Sequence, residues 1–99
     1  MPAPYRLRVP ERLEELIRGL HPGLKRKVRA ALDIIREDPS GGKELRDDLA
    51  GLRSFGVGRF RVIYRVAPRR LIELVALGPR RTIYEETFRL LRRDRGGRP

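Results

Sequence analysis

Residues 52–86 read LRSFGVGRFRVIYRVAPRRLIELVALGPRRTIYEE, and this stretch decides the fold. Side chains on a strand point alternately to the two faces of its sheet. Over Arg59–Val66, alternation puts Phe60, Val62, Tyr64 and Val66 on one face and Arg59, Arg61, Ile63 and Arg65 on the other. The first set suits a core; the second suits water or a polyanion. Aromatic and β-branched residues also fit a pleated surface. Ala67-Pro68-Arg69-Arg70 reads as a turn in which the proline fixes one backbone angle. Leu71–Leu77 is apolar on both faces apart from Glu73, as expected of a central strand covered on both sides. Gly78-Pro79 ends it. Upstream, Arg53–Val57 is a shorter partner strand joined through Gly58. The expectation is an antiparallel meander with one basic face and a basic rim.

Working outward from the meander, Tyr5–Val9 alternates, with Tyr5, Leu7 and Val9 on one face and Arg6 and Arg8 on the other, a short strand by period. Pro10 then opens a helix whose apolar positions are Leu13, Leu16, Ile17 and Leu20, with Glu11, Glu14 and Glu15 near its N-terminus, where the helix dipole favours them. His21-Pro22-Gly23 breaks it. A second helix carries the stripe Leu24, Val28, Ala31, Leu32 and Ile35 and ends near Asp38-Pro39-Ser40-Gly41-Gly42, a strong loop signal. Lys43–Gly51, anchored by Leu45 and Leu49, reads as a short turn of helix or an ordered loop. Thr82 is placed to cap a last helix over Ile83–Arg93, and residues 92–99, without an apolar side chain, read as a flexible basic tail. The order is β-α-α-β-β-β-α: one α+β domain over residues 1–91, a helical hairpin laid on about four strands.

Ninety-nine residues hold a single core. The net charge of +11 is unevenly placed: residues 1–51 carry 11 basic and 9 acidic side chains, residues 52–99 carry 13 and 4. An excess on that scale is the footprint of a polyanion partner. Only Lys25, Lys27 and Lys43 are lysines. Arginine forks onto phosphate, which favours nucleic acid. A GC-rich coding sequence would account for arginine over lysine, but not for the asymmetry between the halves. No cysteine is present, so neither disulfides nor thiolate chemistry enters, which fits a cytoplasmic setting. No segment approaches the ~20 apolar residues that span a bilayer, so no membrane association is expected. The N-terminus lacks the basic-then-apolar layout of a signal peptide.

The inventory for chemistry is short. His21 is the sole histidine and belongs to a turn. No Ser-His-Asp set, metal-spaced cluster or phosphate loop occurs. Gly56-x-Gly58 precedes a strand where a dinucleotide fingerprint needs a helix. No metal or cofactor is therefore expected. What remains is Arg53, Arg59, Arg61, Arg65, Arg80, Arg81 and Tyr84. Without a metal, RNA can still be cut, because its 2′-hydroxyl is a tethered nucleophile beside the phosphate. Guanidinium groups can stabilise the phosphoryl charge, and a tyrosine can stack on a base. DNA lacks that hydroxyl. Each arginine taken singly is also at home as a solvated surface charge, and Tyr84 as helix-to-sheet packing.

The run GVGRFRVIYRV, then LIELVALG, then PRRTIYEE resembles the RelE/ParE superfamily of bacterial toxins, and the ribosome-dependent RelE branch most. Gly58 to Tyr64 matches the family's glycine before an aromatic-Arg-hydrophobic-hydrophobic-Tyr strand. Gly78, Arg80 and Tyr84 match its strand ending in glycine, followed by an arginine and then a tyrosine. The resemblance covers about Tyr5 to Leu91. It implies the toxin of a type II toxin–antitoxin pair, a metal-independent endoribonuclease cleaving mRNA in the ribosomal A site. Its partners would be mRNA, the small ribosomal subunit and an antitoxin with an acidic, partly disordered segment, the last in a hetero-oligomer. By the same resemblance Arg61 steadies the scissile phosphate, Arg80 protonates the leaving oxygen or neutralises its charge, and Tyr84 stacks on the base and orients the nucleophile. Arg53, Arg59, Arg65 and Arg81 would add phosphate contacts. The chain departs from the RelE pattern at Arg53–Val57, where RelE carries two basic residues credited with deprotonating the 2′-hydroxyl. Here only Arg53 is basic, and arginine holds its proton too tightly to serve. The base is unassigned. Two alternatives stay open: a ParE-like poison of DNA gyrase, and a basic nucleic-acid-binding module without activity.

Overall fold

A computed structural model describes residues 4–96. The elements are β1 (Arg6–Arg8), α1 (Glu11–Arg18), α2 (Pro22–Glu37), β2 (Lys43–Glu44), β3 (Arg53–Val57), β4 (Phe60–Ala67), β5 (Leu71–Pro79) and α3 (Ile83–Gly96), with single 3-10 turns at Pro39–Gly41 and Asp47–Leu49. They form one five-stranded sheet in the order β1-β5-β4-β3-β2. β1 runs parallel to β5, and the other neighbours are antiparallel. The expected α+β order is present. The strand count is five rather than about four, because Lys43 and Glu44 pair with Ser54 and Arg53. A two-residue strand carries no readable period, so Lys43–Gly51 reads from sequence as a helical turn or an ordered loop, and the 3-10 turn at Asp47–Leu49 is the only part of it that fits.

The helical hairpin covers one face. His21 starts α2 as its N-cap, its Nδ1 accepting from the Gly23 N–H at 3.3 Å, with Pro22 in the first turn, where a missing N–H costs nothing. Leu13 and Ile17 of α1 and Val28, Ala31, Leu32 and Ile35 of α2 are buried against Val57, Val62, Tyr64, Ile72, Leu74 and Leu77 of the sheet. Tyr5, Leu7 and Val9 close the side of this core.

The opposite face is not the open basic surface that alternation suggested. α3 lies on it. Ile63, grouped by period with the arginines, is fully buried in a second core with Leu52, Ala76 and Ile83. Leu45, Leu49, Val75, Tyr84 and Leu91 border that core. A bulge helps to build it: Ile63 pairs with Ala76 but Tyr64 pairs with Leu74, which leaves Val75 as an extra residue on β5. Conversely Val66, expected in the core, is 41% exposed. It lies near the far end of β4, beside the Pro68–Arg70 turn. α3 runs on to Gly96, so the backbone is helical over the first five positions of the segment expected as a tail. No proline or glycine interrupts it before Gly96, and Glu85 pairs with Arg89 one turn along. Residues 97–99 lie outside the described residues.

One buried group ties the layers together. The Tyr64 hydroxyl donates to the Pro39 carbonyl at 2.5 Å and accepts from the Gly42 N–H at 3.1 Å. A side chain at Gly42 would run into the Tyr64 ring. Replacing Tyr64 by Phe keeps the ring and strands two buried backbone groups. The expected loss is about 1–3 kcal/mol in urea denaturation, and an unchanged midpoint would contradict it. Burial holds this phenol un-ionised beyond its ordinary value of 10.0. The unfolded chain ionises first, so the contribution is intact below pH 10 and fades above it. Tyr64→Phe should flatten that alkaline decline.

Candidate nucleic-acid interface

Strand β4 is buried on both faces at Val62, Ile63 and Tyr64. A cation has no place there. Arg61 stands one residue before that run, where the double cover ends. Its register partners are Gly56 on β3 and Gly78 on β5. Cross-strand partners share a face, so Arg61 has a glycine on either side. The side chain lies across Gly56: a Cβ there would sit 3.1 Å from Nη1 and 3.3 Å from Cζ. At Gly78 a Cβ would sit 3.0 Å from Cδ1 of Ile83, so the start of α3 packs down onto that glycine. The guanidinium thus lies over Gly56, while Ile83 covers the glycine on the other side of Arg61. Arg61 is half-buried, and its Nε is buried with no hydrogen-bond partner. A buried donor left unpaired costs about 1–3 kcal/mol, which an anion accepting from it would recover.

Three further arginines stand at this end of the sheet. The Arg80 N–H donates to the Arg59 carbonyl at 2.8 Å, and Phe60 pairs with Pro79 between them. Arg59 follows Gly58, whose φ of +59° suits glycine in the tight β3–β4 connection. Arg81 follows in the turn into α3. Arg59, Arg80 and Arg81 are exposed. The remaining two candidates are elsewhere. Arg65 pairs with Glu73, which also takes Arg8 at 3.3 Å in a row across β4, β5 and β1. Arg53 faces the hairpin side as the partner of Tyr64, and its Nη1 donates to the carbonyls of Gly42 at 2.8 Å and Ser40 at 3.4 Å. Its charge is used to hold the loop after α2.

Tyr84, in the first turn of α3, borders the second core, and its hydroxyl lies 2.9 Å from Oγ of Ser54. Tyr84 is therefore both packed against the second core and hydrogen-bonded to β3. Ser54 is 1% exposed and pairs with Ile63, one step along from the Gly56–Arg61 pair. Ser54 and Arg61 are thus diagonal neighbours on one face, roughly 7–8 Å apart by sheet geometry. The sequence marks Gly78 as the end of a strand and does not place Ser54 or Gly56 in the site. Their signal was the small-residue alternation of β3 opposite an arginine. Sequence reading also missed Lys43, which pairs with Ser54 and so shares the Tyr84 face; Leu45, two residues on, packs into the second core on that side. Among the described residues, no three histidine, aspartate or glutamate side chains gather as a metal site would need. No helix among them is long and apolar enough to cross a membrane.

Residues 5–84 match the family described as ParE toxin of type II toxin–antitoxin system, parDE. No curated protein matches the chain. Solved structures do. The RelBE2 toxin–antitoxin complex from Mycobacterium tuberculosis is 26% identical at a TM-score of 0.68, over 79% of this chain and 100% of that one. A free E. coli RelE toxin carrying two arginine-to-alanine substitutions superposes at 0.70 with 18% identity, over 88% of this chain and 93% of that one. The archaeal RelE–RelB complex from Pyrococcus horikoshii gives 0.65 with 24% identity, over 79% and 97%. The last two likenesses speak to the fold.

Gly56→Ala tests the position of Arg61. A strand tolerates the methyl group, and the atoms it meets are the movable end of Arg61. The melting temperature should hold or rise, while affinity for a short single-stranded oligoribonucleotide falls several-fold. Unchanged affinity would show that the position of Arg61 over Gly56 does not matter.

Proposed function

The chain belongs to the ParE toxin family of type II toxin–antitoxin systems, within the RelE/ParE superfamily, and from that premise we propose that it is a metal-independent endoribonuclease that cleaves mRNA on the ribosome. The observation that carries this reading is Arg61, half-buried between Gly56 and Gly78 with an unpaired, buried Nε, on the face that also holds Tyr84. A phosphate oxygen bound there accepts from a donor that already lacks a partner. The 2′-oxygen attacks the phosphorus, the bond from phosphorus to the 5′-oxygen breaks, and the products are a 2′,3′-cyclic phosphate and a 5′-hydroxyl. Arg61 neutralises charge on the phosphoryl oxygens, where preorganised donors contribute most. Arg80, tethered to Arg59 at the same end of the sheet, is assigned to the leaving oxygen. Tyr84, with its hydroxyl held by Ser54, offers a fixed ring on which a base can stack.

A second reading, favoured by the ParE description of the family, is binding and poisoning of DNA gyrase. Primer extension on mRNA from cells expressing the toxin separates the two. The nuclease reading expects breaks at codon spacing that fall by about 10²–10³-fold with Arg61→Ala or Arg80→Ala. Intact mRNA with gyrase-linked DNA breaks would overturn it.

The partner that restrains the toxin is assigned as an antitoxin with an acidic, partly disordered segment. The similar complexes were solved with an antitoxin bound. Charge at +11 and half-exposed apolar side chains at Leu16 and Ile34 give such a segment two kinds of contact. Raising salt from roughly 0.1 to 1 M, which shortens screening from about 10 to 3 Å, should weaken the complex about tenfold without abolishing it. An affinity indifferent to salt would contradict the electrostatic part.

A further inference from the structure

Cleavage by the route above needs a group to take the proton of the 2′-hydroxyl, and Arg53 faces the other side of the sheet. We propose that Lys43 is that group. The inference rests on the nuclease reading and deepens it.

The placement comes from the smallest strand in the fold. β2 contributes two residues to the sheet, and their register sends them to opposite faces. Glu44 pairs with Arg53 on the hairpin side. Lys43 pairs with Ser54, on the α3 side. The alternation is confirmed one step further along, where Leu45 packs into the second core beneath α3. Paired residues hold their Cβ atoms about 4.5–5.5 Å apart, so the Lys43 stem begins next to Ser54. The Ser54 hydroxyl meets that of Tyr84 at 2.9 Å, and Arg61 is the diagonal neighbour. One face therefore carries, in order across β2, β3 and β4, an amine, a hydroxyl pair and a guanidinium.

Arg61 takes the phosphate. Tyr84 takes a base, so the attached ribose spans the gap from Tyr84 to the phosphate on Arg61. Lys43 starts beside Ser54 on this face, exposed and on a flexible four-carbon stem that can carry its amine toward the 2′-hydroxyl of that ribose. Ser54 and Tyr84 bond to each other, which leaves the amine to act. The unprotonated amine of Lys43 accepts the 2′-proton and becomes an ammonium as the 2′-oxygen bonds to phosphorus. The 5′-oxygen departs with the electron pair of the broken bond, is met by Arg80, and is protonated from water. Charge and atoms balance without metal or redox partner. A positioned general base acts on the cleavage step rather than on binding.

The chain contains no cysteine, and this allows a selective test. Lys43→Cys, treated with bromoethylamine, regains an amine of nearly lysine length at that position alone. The assay is single-turnover cleavage of mRNA on programmed ribosomes between pH 6 and 9. Lys43→Cys is expected to lose about 100-fold in rate, within the range for a general base, and aminoethylation should restore it to within about tenfold. Binding of an uncleavable 2′-O-methyl oligonucleotide should change far less than the rate. Wild-type rates in Lys43→Cys, or no rescue on aminoethylation, overturn the assignment while leaving the nuclease reading in place. Absence of cleavage by the unaltered toxin overturns both.

Discussion

A strand buried on both faces imposes the main constraint on this small protein. Val62, Ile63 and Tyr64 lie between the helical hairpin and α3, with no water on either side. A charged side chain within that run would need a buried partner. The first arginine the strand can carry is therefore at its mouth, and Arg61 is there. The bulge at Val75 and the packing of Ile83 onto Gly78 close the second core up to that point and no further. The cationic site is thus a boundary of the core. The second core, with Ile63, Ala76 and Ile83, lies directly behind it.

Arginine alone does not define the site; what surrounds each arginine does. Arg61 is bedded on glycine and lacks a partner at Nε. Arg65 and Arg8 share one glutamate, and Arg53 spends its donors on two loop carbonyls. The same side chain serves as phosphate candidate, surface ion pair and loop tie. A surface pair such as Arg65–Glu73 contributes little to stability. It does offset positive charge at that end of the sheet.

Much of this was legible from residue order, and the failures have physical causes. The hairpin helices and the β3–β5 meander follow from periods of 3.6 and 2 and from Gly and Pro punctuation, whereas the place of Arg61 near the end of β4 does not. Ile63 was placed with the arginines because alternation assigns a face without saying what covers it, and the cover, α3, comes 20 residues later in the chain. Arg53 was grouped by charge, although pairing with Tyr64 puts it on the opposite face. Lys43 was unreadable because two residues carry no period and their partner strand is set by a long-range contact. The parallel pairing of β1 with β5 is invisible for the same reason.

The central claim is that the Arg61 guanidinium, laid over Gly56, takes a phosphodiester through its inward-facing donor. The most direct measurement is the Arg61 Nε–H resonance by NMR during titration with an uncleavable 2′-O-methyl oligoribonucleotide. The account predicts a downfield shift and slowed exchange that saturate with binding, as an unpaired donor acquires an acceptor. Saturated binding that leaves this resonance unmoved, while other arginines respond, would contradict it.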